Sequence, residues 1–180
     1  IKQFQNGNRQ SYNELVFRYK DKILNFLYRF MHDIDLAQDL AQETFLKVYI
    51  KKDSYREISK FSTWLYTIAS NLAKTELRKI KRRKTYSISE ISISEREHNY
   101  FIDTDNNEKL DDNETKILHK SIFELEQDFR TIIILREIQE LSYENISKIL
   151  KLPLGTVKSR INRGKLKLRE ILINKGVKRI

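Results

Sequence analysis

The sequence predicts an all-α protein of two small helical domains joined by an acidic linker. Among the 180 residues there are only four glycines and one proline, so tight turns are scarce. The chain is rich in Leu, Ile, Lys, Glu and Arg, which favour helices. Charge divides it into three parts. Residues 1–84 hold 18 basic and 9 acidic side chains, residues 85–113 hold 2 and 8, and residues 114–180 hold 15 and 8.

Composition also disfavours several functional classes. The chain has no cysteine, and its three histidines are scattered, so we expect no metal site, no cofactor and no redox chemistry. No apolar run approaches the roughly 20 residues that cross a bilayer, and the opening IKQFQNGNRQ lacks the layout of a secretory signal. We therefore expect a cytoplasmic protein without membrane insertion. The net charge of +10, concentrated in two blocks, indicates a phosphate-bearing partner.

The first block is predicted to begin with two helices. Residues 11–30 place apolar and aromatic side chains at helical spacing, which predicts a core-facing stripe. The chain then breaks at His32 and Asp33, and a second helix follows. Its inward positions are Ala37, Leu40, Ala41, Thr44 and Val48.

The outer side of this second helix carries an unusual row of acids. Asp35, Asp39 and Glu43 follow one another at four-residue steps, where like charges repel. A solvated face that answers the helix dipole accounts for Asp35 but not for Glu43, two turns on. A two-metal nuclease would need carboxylates from a second motif. A docking face for a basic partner accounts for the three acids and for the apolar Leu46 as well.

A third helix is predicted over residues 60–84. Phe61, Trp64, Leu65, Ile68 and Leu72 are its expected core residues, and the other side is expected to bind nucleic acid. That second set is Thr63, Thr67, Ser70, Asn71, Lys74, Arg78 and Lys81. In the preceding loop, residues 51–60, we expect Tyr55 to receive an unstacked base. A solvated polar exterior is the simpler alternative for the hydroxyl-bearing half of the helix.

The acidic middle segment and the start of the second block are less specific. Residues 85–113 are polar and lack a helical period, which predicts a linker or loosely ordered spacer. Residues 114–138 contain two amphipathic segments that are expected to fill the core of a small four-helix domain.

A helix-turn-helix is predicted over residues 141–172. Ser142 is a natural N-cap, and Leu141 and Ile146 are placed for a hydrophobic staple. Lys151 and Leu152 form the turn, and Pro153 starts the second helix. The polar side of that helix is suited to a DNA major groove. Its residues are Gly155, Thr156, Lys158, Ser159, Asn162 and Arg163.

Three stretches in this order, DLAQDLAQETFLKVY, FSTWLYTIASNLAKTELRK and LSYENISKILKLPLGTVKSRINRGKLKLRE, closely resemble bacterial RNA polymerase sigma factors of the extracytoplasmic-function (ECF) group. The resemblance implies that residues 1–84 are region two, which binds the β′ clamp helices of core polymerase and opens the minus-ten promoter element. It implies that residues 114–180 are region four, which binds the minus-thirty-five element and the β flap. By the same resemblance the linker runs toward the RNA path of the polymerase.

The resemblance also assigns residues and partners. The core-binding stretch of the family matches Asp35, Asp39, Gln42, Glu43 and Leu46. The strand-binding helix matches Asn71 and the basic residues that follow it. Arg160 joins the recognition-helix set. Glu57, Lys151 and Thr75 depart from the commonest family pattern; Glu57 stands where a Gly is frequent. The family implies promoter DNA and an anti-sigma factor as partners, and no catalysis. A stand-alone helix-turn-helix regulator is the alternative, but it would leave the acidic row unused.

Overall fold

The computed structural model describes residues 1–86 and 112–177. A few side chains within those ranges are outside the description, namely positions 81, 84–86 and 112–115. Every regular element in the described ranges is helical, which confirms the predicted all-α class. The predicted linker falls almost entirely on residues that lie outside the description.

The described chain divides into two compact units. The first contains residues 1–56 and 64–86, and the second contains residues 57–63 and 112–177. The first unit contains a 3₁₀ turn (Lys52–Ser54), the helices α1 (Lys2–Gln5), α2 (Arg9–Met31) and α3 (Ile34–Ile50), and all of α4 (Phe61–Tyr86) except its first three residues.

The junction between α2 and α3 confirms the predicted break. His32 adopts a left-handed conformation with φ 56°, which ends α2. The Asp33 carboxylate then accepts a hydrogen bond from the backbone N–H of Leu36 at 2.9 Å, so it caps α3. A short polar break is therefore enough to turn the chain back and to pack α3 against α2.

The core of the first unit lies at the C-terminal half of α2. Ile23, Phe26, Leu27 and Phe30 are fully buried there, whereas the stripe nearer the start of α2 is only half-buried. From α3 the predicted inward set is confirmed as buried. The Thr44 hydroxyl is satisfied within α3, because it donates to the Leu40 carbonyl at 2.7 Å.

Helix α4 buries a different side from the one predicted. Leu65 and Leu72 are buried as expected, but Phe61, Trp64 and Ile68 are only half-buried. In their place the helix buries Tyr66, Ala69 and Ala73. The buried side of α4 therefore combines large side chains with two alanines, and it is turned away from Phe61, Trp64 and Ile68.

The second unit contains a π-helical turn (Ile134–Ile138) and four helices: α5 (Asp112–Glu124), α6 (Gln127–Ile133), α7 (Tyr143–Leu150) and α8 (Leu154–Asn174). Four consecutive residues, 132–135, are at most 1 % exposed. This segment packs against α7 and α8.

The predicted helix-turn-helix is confirmed in α7 and α8. The Ser142 hydroxyl accepts a hydrogen bond from the N–H of Asn145 at 3.2 Å, and α7 ends at Lys151 with φ 54°. Ser147 does more than permit a close helix approach. Its hydroxyl donates to the Leu152 carbonyl, and its carbonyl accepts from the Leu152 N–H at 3.1 Å. These bonds hold the turn that sets the direction of α8.

Gly164 allows α8 to pack directly on α6. A Cβ atom at this position would lie 3.0 Å from Cγ1 of Ile133, a side chain that is itself 1 % exposed. Only a residue without a side chain fits that spacing without displacing its neighbour. The glycine therefore places α8 against the body of the second unit, with its polar side outward.

Candidate partner-binding and nucleic-acid-binding surfaces

The acidic face of α3 consists of Asp35, Asp39, Gln42, Glu43 and Leu46. The structure brings all five side chains to one exposed side of the helix, opposite its buried residues. Glu43 is partly neutralised, because its carboxylate lies 2.9 Å from the ammonium of Lys47. Asp35 and Asp39 form no ion pair within the described part of the chain. Two of the three acids therefore keep their full charge available to a partner.

An apolar groove between α2 and α3 adjoins the acidic face. Phe17 is 70 % exposed and Leu46 is 56 % exposed, and both line this groove together with Val16, Phe45 and Tyr49. Phe17 was not among the site residues predicted from the sequence. The available signal was an aromatic side chain at a position that a helix of this register exposes. Large apolar side chains beside unpaired acids are the composition of a protein-binding surface.

The polar face of α4 consists of Thr67, Asn71, Lys74 and Arg78. Steps of four, three and four residues place these side chains along one side of the helix, and each is exposed or half-buried. The Arg78 guanidinium lies along the helix, donating to the Lys74 carbonyl at 3.3 Å and to the Thr75 hydroxyl at 3.2 Å. Lys81 continues the same spacing, but its side chain lies outside the described residues.

The prediction that Thr63 and Ser70 belong to this exposed face is wrong. Thr63 is 2 % exposed and Ser70 is fully buried. Both lie on one stripe with Tyr66 and Ala73, at steps of three, four and three residues, and that stripe faces inward. Both side chains are therefore buried, although each carries a hydroxyl group. Neither can reach a nucleic acid while this packing is intact.

Tyr55 is also placed differently from the prediction. Its side chain is 8 % exposed, and its ring centre lies 5.4 Å from that of Trp64 in a tilted contact. The ring is therefore not open to an incoming base in this conformation. Arg56, Glu57 and Ile58, which follow Tyr55 in the same loop, are exposed, and Ile58 is 80 % exposed.

The recognition face of α8 consists of Gly155, Thr156, Lys158, Ser159, Asn162 and Arg163. All are exposed except Thr156, which is half-buried. Neither Lys158 nor Arg163 forms an ion pair among the residues that the structure describes, so both cations remain available to phosphate or to base edges. The Ser159 hydroxyl donates to the Thr156 carbonyl at 3.1 Å, within the first turns of the helix.

Arg160 stands apart from the rest of the predicted recognition set. It is half-buried, and its guanidinium pairs with the Asp128 carboxylate. Further along α8, Lys165 pairs with Glu137 at 3.0 Å and Lys167 pairs with Glu126 at 2.8 Å. The continuous basic run in the sequence is thus two sets of residues. One set faces solvent, and the other joins α8 to acids of its own unit.

The first turn of α7 lies close enough to the recognition face for Lys158 to affect the ionisation of Glu144. The pKa of the Glu144 carboxyl is lowered, chiefly by a hydrogen bond from its own backbone N–H and by one from the Ser142 hydroxyl. The positive charges of Lys158 and Arg136 lower it further. Glu144 is therefore a fixed negative charge at the edge of the recognition face.

The described residues contain no group of three or more His, Asp or Glu side chains that could hold a metal ion. None of the described helices is long and apolar enough to cross a membrane.

Two family models match this chain. The model described as Sigma-70 region 2 matches residues 15–83, and the model described as Sigma-70, region 4 matches residues 116–168. The first match contains α3 and most of α4, and the second contains α6, α7 and most of α8.

Curated proteins similar to this chain cover almost its whole length. It is 38% identical over 173 residues to the RNA polymerase sigma-H factor of Pseudomonas aeruginosa, covering 92% of this chain and 88% of that protein. It is 37% identical over 179 residues to the ECF RNA polymerase sigma factor SigW of Bacillus subtilis, covering 96% and 94%.

Solved structures show the same architecture. The chain matches the sigma factor RpoE in complex with the anti-sigma factor NepR from Bartonella quintana with a TM-score of 0.74 and 27% identity, covering 94% of this chain and 99% of that one. It matches CnrH, in complex with the cytosolic domain of CnrY, with a TM-score of 0.66 and 20% identity, covering 96% and 94%. The second match concerns the fold alone.

Proposed function

The chain belongs to the sigma-70 family of RNA polymerase sigma factors, in its extracytoplasmic-function group, and from this premise we propose how its surfaces divide the work of initiation. Residues 1–84 bind core polymerase and the minus-ten element. Residues 114–180 bind the minus-thirty-five element. The protein performs no catalysis itself and acts in the cytoplasm, where it directs the polymerase to particular promoters.

The acidic face of α3 binds the basic β′ clamp helices of core polymerase. The observation that carries this assignment is that Asp35 and Asp39 have no cation partner within the described chain, while Leu46 of the same face and Phe17 of the adjoining groove are exposed. Unpaired charges steer a partner of opposite sign, and desolvated apolar side chains supply most of the affinity. A solvated face would need neither the unpaired row nor the apolar groove.

The polar face of α4 binds the opened minus-ten strand. Asn71 offers an amide for a base edge, while Lys74 and Arg78 lie one and two turns further on and suit the phosphates of the same strand. We propose that Lys81 extends this contact. Tyr55, Thr63 and Ser70 serve as packing residues, so base contacts from the preceding loop come from its exposed tip, around Ile58.

The recognition face of α8 enters the major groove of the minus-thirty-five element. Its N-terminal turns combine unpaired cations, Lys158 and Arg163, with the amide of Asn162. Cations suit guanine edges and phosphates, and amides suit adenine. Arg160 supports this face by holding α8 in place through Asp128. The β flap is the proposed polymerase contact of this unit.

The remaining partner is an anti-sigma factor. A solved relative is described as a complex of a sigma factor with its anti-sigma factor, which supports such a partner here. The linker, residues 85–113, carries 2 basic and 8 acidic side chains, and a negative segment of this kind suits a channel that otherwise holds RNA.

Reconstitution with core polymerase tests the proposal. The chain is expected to bind core enzyme and to initiate transcription from members of a randomised promoter library. Asp39→Lys with Glu43→Lys should weaken core binding at least tenfold, a factor that equals about 1.4 kcal/mol. The matched control is Glu14→Lys with Asp21→Lys, which changes the charge equally at exposed positions of α2 outside the groove.

Two outcomes would contradict it. If the α3 double variant binds core polymerase as tightly as the control variant does, the acidic face is not part of the interface. Sequence-specific DNA binding by the free chain, without any initiation by added core enzyme, would support a stand-alone regulator instead.

A further inference from the structure

A reciprocal clasp joins the short N-terminal helix α1 to the segment that follows α3. The side-chain amide of Gln5 donates to the carbonyl of Lys52 at 2.7 Å and to that of Tyr55 at 3.1 Å. In return, the Lys52 ammonium donates to the carbonyls of Phe4 and Gln5 at 3.2 and 3.4 Å. Each side chain thus satisfies two backbone acceptors on the other segment, across 47 to 50 residues of sequence.

Helix α1 is itself fixed to the body of the first unit. The Phe4 side chain is 2 % exposed, and its ring centre lies 5.0 Å from that of Tyr12 and 5.4 Å from that of Tyr49. The Lys52 ammonium also lies 5.1 Å from the centre of the Phe4 ring, within the range of a cation–π contact. The amide of Gln5 is therefore presented from an anchored helix, whose position is set by α2 and α3.

The clasped carbonyls stand at the base of the loop between α3 and α4. Lys52 begins the 3₁₀ turn, and Tyr55 follows its last residue with its ring buried against Trp64 in the first turn of α4. Beyond this base, Arg56, Glu57 and Ile58 are exposed. The loop therefore has a fixed origin and a solvent-facing tip.

We propose that Gln5 is a positioning residue for recognition of the minus-ten element, acting through the backbone of residues 52–55. This inference rests on the proposed function, because it assigns the loop tip to the opened strand. A loop whose base is held before binding loses less conformational entropy when it captures a base, and it presents its tip at a defined distance from α4. Gln5 itself touches no DNA.

A purely structural role for Gln5 would make a different prediction. Loss of the clasp would then lower stability and overall activity alike, without changing which bases are preferred. A positioning role predicts that discrimination between bases at the minus-ten element falls, while dependence on the minus-thirty-five element is unchanged.

The chain provides a matched pair of variants on one helix. Gln5→Met removes both donors while keeping a similar length and an unchanged charge. Gln3→Met makes the same change at an exposed residue of α1 whose side-chain oxygen accepts from the Ser11 hydroxyl of α2 and does not reach the loop. Lys52→Met breaks the clasp from its other side and serves as a second variant should Gln5→Met fail to fold.

The first measurement uses the free chain. Trp64 is the single tryptophan of the sequence and contacts Tyr55, so its fluorescence reports on the loop base. Gln5→Met and Lys52→Met are expected to shift Trp64 emission to the red and to raise its quenching by acrylamide, while Gln3→Met leaves both unchanged. Equal spectra for all four proteins would overturn the clasp without bearing on the proposed function.

The second measurement uses reconstituted polymerase on a promoter selected from a randomised library, and on its single-base variants. Gln5→Met should reduce the preference for the selected minus-ten bases by about tenfold, the factor expected from about 1.4 kcal/mol. Gln3→Met and wild type should discriminate equally. Unchanged base preference in Gln5→Met, whatever its total activity, would overturn the inference while leaving the proposed function in place. Wild-type protein that initiates on no member of the library would overturn both.

Discussion

The guanidinium of Arg160 lies 2.7 Å from the carboxylate of Asp128, although 32 residues of sequence separate them. Arg160 sits among residues that face solvent, on the same helix as Lys158 and Arg163, yet it is turned toward α6. The Arg160 guanidinium forms an ion pair within its own unit, whereas Lys158 and Arg163 form none among the described residues. Basic residues that look equivalent in the sequence therefore have different roles.

Substitution of these arginines should separate the two tasks. Arg163→Ala is expected to weaken binding to a minus-thirty-five duplex by about 1 to 3 kcal/mol if the side chain reads a base. Arg160→Ala should cost the fold only about 0 to 1 kcal/mol, because the Asp128 carboxylate is largely exposed. Fluorescence anisotropy at several salt concentrations, beside thermal unfolding, checks both values. Equal losses of DNA affinity would place Arg160 in the interface as well.

Gly164 should resist substitution because of its neighbour and not because of its backbone conformation. Gly164→Ala gains helix propensity of about 1 kcal/mol, but overpacking against Ile133 costs about 1 to 3 kcal/mol, so a net loss of stability is expected. Gly155→Ala is the control, since a Cβ there meets nothing within 4 Å. It should be neutral or stabilising. Chemical denaturation of both variants measures the difference, and a stabilised Gly164→Ala would contradict the close packing.

Tyr55 should behave as a core residue. Tyr55→Ala is expected to lower the free energy of unfolding by about 3 kcal/mol, as large-to-small changes at buried aromatic positions do. Ile58→Ala, in the same loop but 80 % exposed, should leave stability unchanged and instead reduce initiation. Thermal unfolding and transcription from one promoter, measured on both variants, test the contrast. If Tyr55→Ala leaves stability unchanged, Tyr55 is not a packing residue and is again a candidate for base contact.

Tyr66 should make the first unit sensitive to alkali. Burial raises the pKa of its phenol, with a further contribution from Tyr19, and its ring packs edge-on against Phe26 at 5.4 Å. Because the folded state holds the proton more tightly, the stabilisation is complete below the unfolded pKa of about 10 and is lost as pH rises above it. Tyr66→Phe should flatten the fall in stability as pH rises above about 10. A fall in stability of the same slope in Tyr66→Phe and in wild type would contradict the prediction.

The helices and their ends were predictable because their causes are local. Asp33 and Ser142 cap backbone N–H groups three residues away, and Lys151 ends α7 in the left-handed conformation that the turn needs. The acidic face was predictable for the same reason, since a helical period places Asp35, Asp39 and Glu43 together wherever the helix packs. These features depend on separations of about four residues.

Features that depend on a distant neighbour were not predictable in this way. Ser70 and Thr63 have the character of polar surface residues, yet both are buried on the side of α4 that carries Tyr66 and Ala73. Tyr55 read as a loop aromatic, yet its ring is closed against Trp64. In each case the chemical character of the side chain was known from the sequence, but the side on which it would be buried was not.

The sequence by itself determined the helical class, the caps, the turn of the helix-turn-helix and the acidic row, because each follows from interactions within a turn or two of helix. The tertiary structure alone decided which side of α4 is buried, which basic residues of α8 form no ion pair, and how Gln5 donates a hydrogen bond to the carbonyl of Tyr55. Those outcomes require atoms 32 and 50 residues apart to meet. No periodicity in the chain encodes such a meeting, since it arises only when the helices pack.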